Sequence, residues 1–155
     1  MNNRKDYEIR AVAIAELRTS PTIGGLTADY KAECGESVAL EGRLEISWET
    51  YESLEAVGGC RAFGAFLRGA LVGFSVVVVS QSLRRAGMEA AAESLFLAPE
   101  HRRGGPGLRL LQAARDAALE AGAPGLIVTA PVGSQLERLA SAAGYDIVSK
   151  NYLVR

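Results

Sequence analysis

The chain has 155 residues, 48% of them hydrophobic, and carries a formal net charge of −1. A chain of this length and apolar content can bury one substantial core, so residues 1–155 are predicted to form a single domain. The nearly balanced charge excludes a general electrostatic affinity for nucleic acid or for an anionic membrane.

The N-terminal segment 1–6 is polar and lacks the apolar stretch of a secretory signal, and the longest apolar run, 71–79, is too short to span a bilayer. Cys34 and Cys60 have neither metal-ligand spacing nor the number needed for a disulfide framework. These features predict a reduced, cytoplasmic protein that holds no metal and spans no membrane.

The first third of the chain gives the weakest structural signals. Residues 7–15 alternate between apolar and polar positions and predict a strand, while residues 19–25 are rich in turn formers. Residues 26–34 predict a short helix, and residues 48–57 predict a second helix with Ser47 as its N-cap.

The middle of the chain predicts three consecutive strands. Residues 60–67 and 71–80 flank a tight connection at 68–70, which is typical of an antiparallel hairpin. The second arm is apolar on both faces and therefore belongs in the centre of a sheet. Residues 88–97 predict the third strand, which Pro99 ends.

The last third alternates between helices and strands. Residues 105–122 form the clearest helix, because small and apolar residues recur on one face and charged residues on the other. Residues 126–130 predict a short buried strand, 134–143 a helix, and 145–154 a terminal strand or strand pair. The order predicts an α/β (α+β) fold, in which helices pack on a mixed sheet.

Charge is unevenly distributed along the chain. Acidic residues dominate between positions 29 and 55, whereas arginines outnumber carboxylates after position 99. The acidic part suits a cationic molecule, although solvated helix faces without a partner explain it as well. Its acidic residues are Asp29, Glu33, Glu36, Glu41, Glu45, Glu49, Glu52 and Glu55.

A glycine-rich turn joins the strand at 88–97 to the helix at 105–122, and its sequence is Arg102-Arg103-Gly104-Gly105-Pro106-Gly107. A helix N-terminus has unpaired amides and about half a positive charge, and glycines let a diphosphate approach the backbone. A Walker loop would need Lys followed by Ser or Thr after its last glycine, and a dinucleotide loop would follow the first strand of a parallel unit, so neither fits. A turn without a ligand remains the alternative.

The segment ESLFLAPEHRRGGPGL, residues 93–108, resembles the signature of the GCN5-related N-acetyltransferases (GNAT). The pyrophosphate loop of that family has Gln or Arg, two variable residues, Gly, one variable residue, and Gly or Ala. Arg102, Gly105 and Gly107 fill the three defined positions. The resemblance covers roughly residues 60–155. It implies a mixed, mostly antiparallel central sheet of six or seven strands flanked by about four helices.

The resemblance also implies a donor site for acetyl-CoA and no metal. In such enzymes the backbone of the strand before the loop bonds the pantetheine arm, here through Leu95, Phe96 and Leu97, and the loop holds the pyrophosphate. The loop residues are Arg102, Arg103, Gly104, Gly105, Pro106, Gly107 and Leu108.

Glu93 occupies the position at which many members of the family have a general base. An amine attacks a thioester only when it is unprotonated, so a carboxylate must remove a proton. An amide near Leu97 would polarise the thioester carbonyl. Glu89 is the second candidate, and a surface carboxylate without a catalytic role is the alternative interpretation of Glu93.

The sequence departs from the family at Ala140, where a tyrosine often protonates the leaving thiolate. Substitutes for this acid are water and the residues Ser134, Ser141, Tyr145 and Tyr152. His101 stands where the family usually has an aromatic residue that packs beside the loop.

The leading hypothesis is an N-acetyltransferase that passes an acetyl group from acetyl-CoA to a primary amine by direct attack on the thioester. The acidic stretch favours a cationic small molecule or a lysine as the acceptor. A non-catalytic CoA-binding module for sensing or scaffolding is the alternative, and a structural domain that binds no nucleotide is a third. An exposed edge at the C-terminal strand would allow a homodimer.

Overall fold

The computed structural model describes residues 6–37 and 45–150 together with Tyr152 and Val154, without the side chains of residues 35–37. In this part of the chain lie five strands and five α-helices. They are, in chain order, β1 (Tyr7–Val12), α1 (Ile14–Thr19), α2 (Ile23–Ser37), α3 (Trp48–Ala56), β2 (Cys60–Leu67), β3 (Ala70–Gln81), β4 (Met88–Leu97), α4 (Pro106–Glu120), β5 (Ile127–Val128) and α5 (Gln135–Ala142). A single 3-10 turn, Pro99–His101, follows β4.

The strands form one sheet in the order β1-β2-β3-β4-β5. The first four strands are antiparallel neighbours, and β5 runs parallel to β4. β3 lies in the middle of the sheet and is buried from residue 71 to residue 77. The prediction of a mixed, mostly antiparallel sheet with the apolar strand at its centre is therefore confirmed.

The two faces of the sheet are covered by different helices. Phe74 and Val76 of β3 belong to the apolar cluster that also contains buried residues of α1 and α2. Val77 and Val79 face the opposite way and pack with Ala114 and Ala118 of α4. The small alanines of α4 let this helix approach the sheet closely, with its N-terminus beyond the end of β4.

Helix α1 is absent from the sequence-based expectations, which place a strand and then a turn at its residues. Its first amide, at Ile14, donates to Glu55 Oε1 over 3.0 Å. A carboxylate at a helix N-terminus satisfies an unpaired donor and interacts favourably with the helix dipole. Because this partner lies 41 positions away in the sequence, no local pattern at Ile14 indicates the helix.

The predicted strand or strand pair at 145–154 is wrong for the described residues, which contain no strand after β5. The described sheet therefore has five strands instead of the expected six or seven. Apolar residues here, such as Ile147 and Val148, are exposed at 84% and 71%. A strand needs a partner edge as well as suitable residues, and β5 offers an edge of two residues only.

Candidate active site at the end of strand β4

The glycine-rich turn has the backbone shape that the sequence predicts. Gly104 and Gly105 adopt φ angles of 91° and 94°, in the left-handed region that favours glycine. A β-carbon on either residue would meet nothing within 4 Å, so the concave side of the turn is open to solvent. Pro106 is buried and begins α4, where its lack of an amide hydrogen has no cost.

The turn also presents unused hydrogen-bond donors. Within the described residues, no backbone or side-chain acceptor receives a bond from the amides of Arg103, Gly104, Gly105, Gly107 or Leu108. The first helical bond of α4 runs from Arg109 N to Gly105 O over 3.1 Å. Unpaired amides at the start of a 15-residue helix form an anion-binding arrangement.

Strands β4 and β5 part five residues before the end of β4, on the side that leads to this turn. They are paired only between Ala91 and Ile127 and between Ala92 and Val128. Beyond that point β4 continues to Leu97, whereas the described chain after Val128 forms no further strand beside it. The second half of β4 consequently has an open side.

Two of the three residues predicted to meet the pantetheine arm turn their peptide groups to this open side. The amide of Ala98 donates to Val72 O across the β3 pairing, over 2.9 Å. Peptide groups alternate in direction along a strand, so those of Leu95 and Leu97 point away from β3. The peptide group of Phe96 points toward β3, and its ring lies in the core.

Glu93 sits on a β-bulge. Val76 pairs with Ser94 but Val77 pairs with Ala92, which leaves Glu93 as an extra residue on β4. Its side chain is exposed. The bulge lies immediately after the last β4–β5 pair, at the mouth of the open side. Glu89, in contrast, pairs opposite Ser80 on the other side of Ala91, away from the opening.

A buried hydroxyl supports the bulge. Ser75, fully buried in β3, donates through Oγ to the carbonyl of Ser94 over 3.0 Å. A buried carbonyl that loses its donor costs free energy, because water cannot replace the bond.

Ser75→Ala is therefore expected to lower the free energy of unfolding by about 1–3 kcal/mol, measured by urea denaturation. Ser80→Ala, at an exposed position of the same strand, is the control and should change it by no more than about 0.5 kcal/mol. Equal losses in both variants would show that the Ser75 bond does not stabilise the bulge.

Two tyrosines, which the sequence did not single out, lie beside Glu93. Tyr30 of α2 directs its hydroxyl toward Glu93 O at 3.5 Å, and its ring contacts Phe74 and Phe96 edge-on with centroids 6.0 Å away in each case. Burial raises the pKa of Tyr30, followed by the neighbouring Cys34 and Tyr51 and last by the Glu93 charge. Burial followed by the Glu93 charge likewise raises the pKa of Tyr51. Both phenols thus keep their protons at neutral pH.

The two loop arginines have different surroundings. Arg102 donates through Nε to Leu97 O over 2.8 Å and pairs through Nη2 with Glu33 of α2. Its guanidinium also lies 5.4 Å from the centre of the Phe96 ring. Arg103 is exposed and has no acidic partner among the described residues. The sequence places both arginines in the loop, and the structure gives them different neighbours.

His101 has a packing role beside the loop, as expected from the position. Its Nδ1 lies 3.0 Å from Tyr7 Oη, and the two rings meet edge to face with centroids 5.8 Å apart. This contact ties the 3-10 turn to β1.

The residues considered as substitutes for a general acid are engaged or exposed elsewhere. Ser134 caps α5 by accepting a bond from Glu137 N over 3.1 Å. Tyr145 lies near Arg115, halfway along α4. Ser141 and Tyr152 are exposed, and Ala140 lies within α5. No contact in the described chain brings any of them to Glu93.

Some carboxylates of the acidic stretch at 29–55 are bound to other groups of the protein. Glu52 pairs with Arg18 at 3.3 Å, and Glu55 binds the first amide of α1. The side chains of Glu36 and Glu41 lie outside the described residues. The stretch therefore gives the surface less negative charge than its composition indicates.

A cavity of about 520 Å³ lies away from the turn, between α3 and β2. Its charged side chains are already paired: Arg61 with Glu120 at 3.0 Å, and Glu55 with the amide of Ile14. The described residues also contain no group of three or more His, Cys, Asp or Glu side chains that could hold a metal, and no helix of the length and apolarity needed to cross a bilayer. The turn at the end of β4, in contrast, combines several unpaired backbone amides with the start of a helix.

Comparisons with known proteins agree with this geometry. A model of the Acetyltransferase (GNAT) family matches residues 26–145. A ribosomal-protein-alanine N-acetyltransferase from Brucella melitensis biovar Abortus 2308 superposes with a TM-score of 0.69 at 19% identity, over 97% of this chain and 99% of that one. No curated protein sequence matches the chain significantly.

Two further solved structures share the fold. An aminoglycoside acetyltransferase from an uncultured soil metagenomic sample, in complex with sisomicin, has a TM-score of 0.66 at 18% identity, over 96% of this chain and 97% of that one. A transcriptional regulator from Bacillus halodurans C-125 has a TM-score of 0.75 at 17% identity, over 97% and 99%. At sequence identities this low, the structural similarity shows the fold alone and does not identify the acceptor.

Proposed function

The chain belongs to the acetyltransferase (GNAT) family, and from this premise we propose that it is a single acyl-CoA N-acyltransferase domain that transfers an acetyl group from acetyl-CoA to a primary amine. The observation that carries the proposal is the set of unpaired amides at residues 103–105, 107 and 108, beyond the open side of β4. In this proposal an elongated molecule with a diphosphate at its middle lies along the open side of β4 and meets the turn.

The donor lies along this path. The peptide group of Leu95 and the amide of Leu97, whose carbonyl already accepts from Arg102, bond the pantetheine arm as an additional strand would, since β5 leaves that side of β4 unpaired. The diphosphate binds the amides of residues 103–105, 107 and 108, where the dipole of α4 adds favourable charge.

The chemistry takes place at the bulge. The acceptor nitrogen attacks the thioester carbonyl carbon, the carbon–sulfur bond breaks, and an amide and the CoA thiolate form. Glu93 removes the ammonium proton, directly or through one water, so that the nitrogen lone pair is available. An amide at Leu95 or Leu97 stabilises the charge that develops on the carbonyl oxygen.

The departing thiolate takes up one proton, which balances the second proton that the nitrogen loses as the amide forms. Tyr30 and Tyr51 are the hydroxyl donors proposed for this proton, because both lie under the influence of Glu93, and water is the other source. A thiol has an ordinary pKa of about 8.5, so a thiolate released near neutral pH is protonated without a dedicated acid. The substitution at Ala140 is thereby compatible with turnover.

The acceptor is proposed to be a cationic amine, such as a polyamine, an aminoglycoside or a lysine side chain. Glu93 supplies negative charge, and the aromatic rings of Tyr30 and Tyr51 provide faces that attract cations. Amines with a second positive charge are expected to show a KM several-fold below that of butylamine, because a cation–π contact contributes about 0.5–2 kcal/mol. Equal KM values across the series would contradict a cationic acceptor.

Release of free CoA thiol in the presence of acetyl-CoA and a panel of amines tests the activity itself. Amine-dependent release above the rate of thioester hydrolysis supports the transferase. Calorimetric binding of acetyl-CoA without release by any amine supports instead the non-catalytic CoA-binding module, which the absence of the usual tyrosine at Ala140 favours. Failure to bind CoA would exclude both.

A further inference from the structure

Arg102 connects the donor loop to the helix that faces the acceptor. Its Nε donates to Leu97 O over 2.8 Å, and its Nη2 donates to Glu33 Oε1 over 2.5 Å. The Arg102 side chain is only 21% exposed, whereas Glu33 is 48% exposed. A guanidinium with a fixed planar set of donors can hold two such acceptors in one orientation.

Glu33 is well placed to fix the position of α2. It lies one helical turn after Tyr30, so the two side chains share a face of the helix. Earlier in α2, Leu26 is buried in the core and Ile23 packs against it. The contacts of Tyr30 and Glu33 hold the later turns against the sheet, above the bulge at Glu93.

The surroundings of Arg103 differ from those of Arg102. It is exposed, has no acidic partner in the described chain, and precedes Gly104 at the open side of the turn. An arginine without an internal partner can move to meet two linked phosphates at little cost.

We propose that Arg102 and Glu33 form a latch that positions α2, and with it Tyr30, over Glu93, and that Arg103 is the arginine that meets the diphosphate. The proposal rests on the proposed function. Arg102 is then a positioning residue. It connects α2, which borders the acceptor site, to β4, which binds the donor, so that the two substrates are held at a fixed distance from each other.

Four variants separate the two roles: Glu33→Gln, Arg102→Gln, their double variant, and Arg103→Gln. Glu33→Gln and Arg102→Gln should each raise the acceptor KM about fivefold, near the upper limit for an exposed ion pair, with kcat and the Kd for CoA changed by less than about twofold. The double variant should resemble Arg102→Gln, because Arg102→Gln already removes the bond to Glu33 together with the bond to Leu97 O. Arg103→Gln should raise the Kd for CoA about fivefold and leave that for pantetheine, which has no diphosphate, unchanged.

Asp116→Asn is the matched control, since the exposed Arg115–Asp116 pair lies within α4 away from the turn. It should leave every constant unchanged. A Glu33→Gln variant with an unaltered acceptor KM would overturn the latch, as would an Arg102→Gln variant that weakens CoA binding as much as Arg103→Gln does.

Hydrogen exchange tests the latch independently of turnover. Amides of α2 around Tyr30 and Glu33 should exchange about fivefold faster in Glu33→Gln than in the wild type or in Asp116→Asn, because local opening becomes easier by the free energy of the pair. Unchanged exchange overturns the latch even in an active enzyme. Faster exchange in a protein that acetylates no amine supports the contact between α2 and the loop while the transferase proposal alone fails.

Discussion

Replacement of Glu93 by glutamine is expected to lower kcat by roughly 10²–10⁴-fold, the usual contribution of a general base. Glutamine keeps the size and the exposed position of the side chain on the bulge, but it cannot accept a proton from the attacking ammonium. The Kd for acetyl-CoA should stay the same, because the proposed donor contacts are the amides of the loop and do not include Glu93. Steady-state kinetics and calorimetry measure the two quantities separately.

Glu89→Gln is the matched control, because Glu89 is an exposed carboxylate on the same strand and pairs opposite Ser80, beyond the last β4–β5 pair. It should retain wild-type kcat. If the Glu89 variant loses activity and the Glu93 variant keeps it, the base has been assigned to the wrong carboxylate. If both keep it, the acceptor loses its proton to solvent.

The pH dependence of the Glu93→Gln variant gives a second test. Without a base, only amine that is already neutral in solution reacts, so kcat/KM should rise about tenfold per pH unit below an amine pKa of about 10.4. The wild-type profile should be flatter over the same range, because the carboxylate removes the proton within the complex. Parallel profiles for the two proteins would contradict the role of Glu93.

The parts of this site that depend on neighbouring residues in the chain could be predicted from the sequence. A glycine turn between β4 and α4 follows from residue types alone, and the family resemblance of residues 93–108 is confirmed by the family model. The bulge at Glu93 could not be predicted in this way. It arises from the pairing of β4 with β3, where Val76 and Val77 take partners on either side of Glu93.

The surroundings of the proposed acceptor also could not be predicted from neighbouring residues in the chain. Tyr30 contacts Glu93, and Tyr51 lies under the influence of its charge, because α2 and α3 pack on one face of the sheet; the pairing of Arg102 with Glu33 spans 69 positions of sequence. Composition indicated an acidic surface there, but it could not show that Glu52 and Glu55 are bound internally. Charges can be counted from a sequence, whereas their partners are set by tertiary packing.

The second large effect is expected at Gly105, where valine should raise the Kd for CoA by about a hundredfold. The φ angle of 94° is strongly unfavourable for a β-branched residue, so the turn must change shape. The amides of Gly105 and Gly107 then no longer converge on one anion. Loss of one or two hydrogen bonds to a charged group, each contributing about 1.5–3 kcal/mol, accounts for the factor.

Gly58→Val separates the loss of ligand from the loss of stability. Gly58 has a φ of 76°, and a β-carbon added to it would meet nothing within 4 Å, as at Gly105, but it lies between α3 and β2. Both variants should unfold at lower urea concentrations, and only Gly105→Val should lose CoA. Binding of pantetheine, which lacks the diphosphate, should be the same in both, since it depends on Leu95 and Leu97. Wild-type affinity for CoA in Gly105→Val would mean that the unpaired amides of the turn do not hold the diphosphate, and the donor site would have to lie elsewhere.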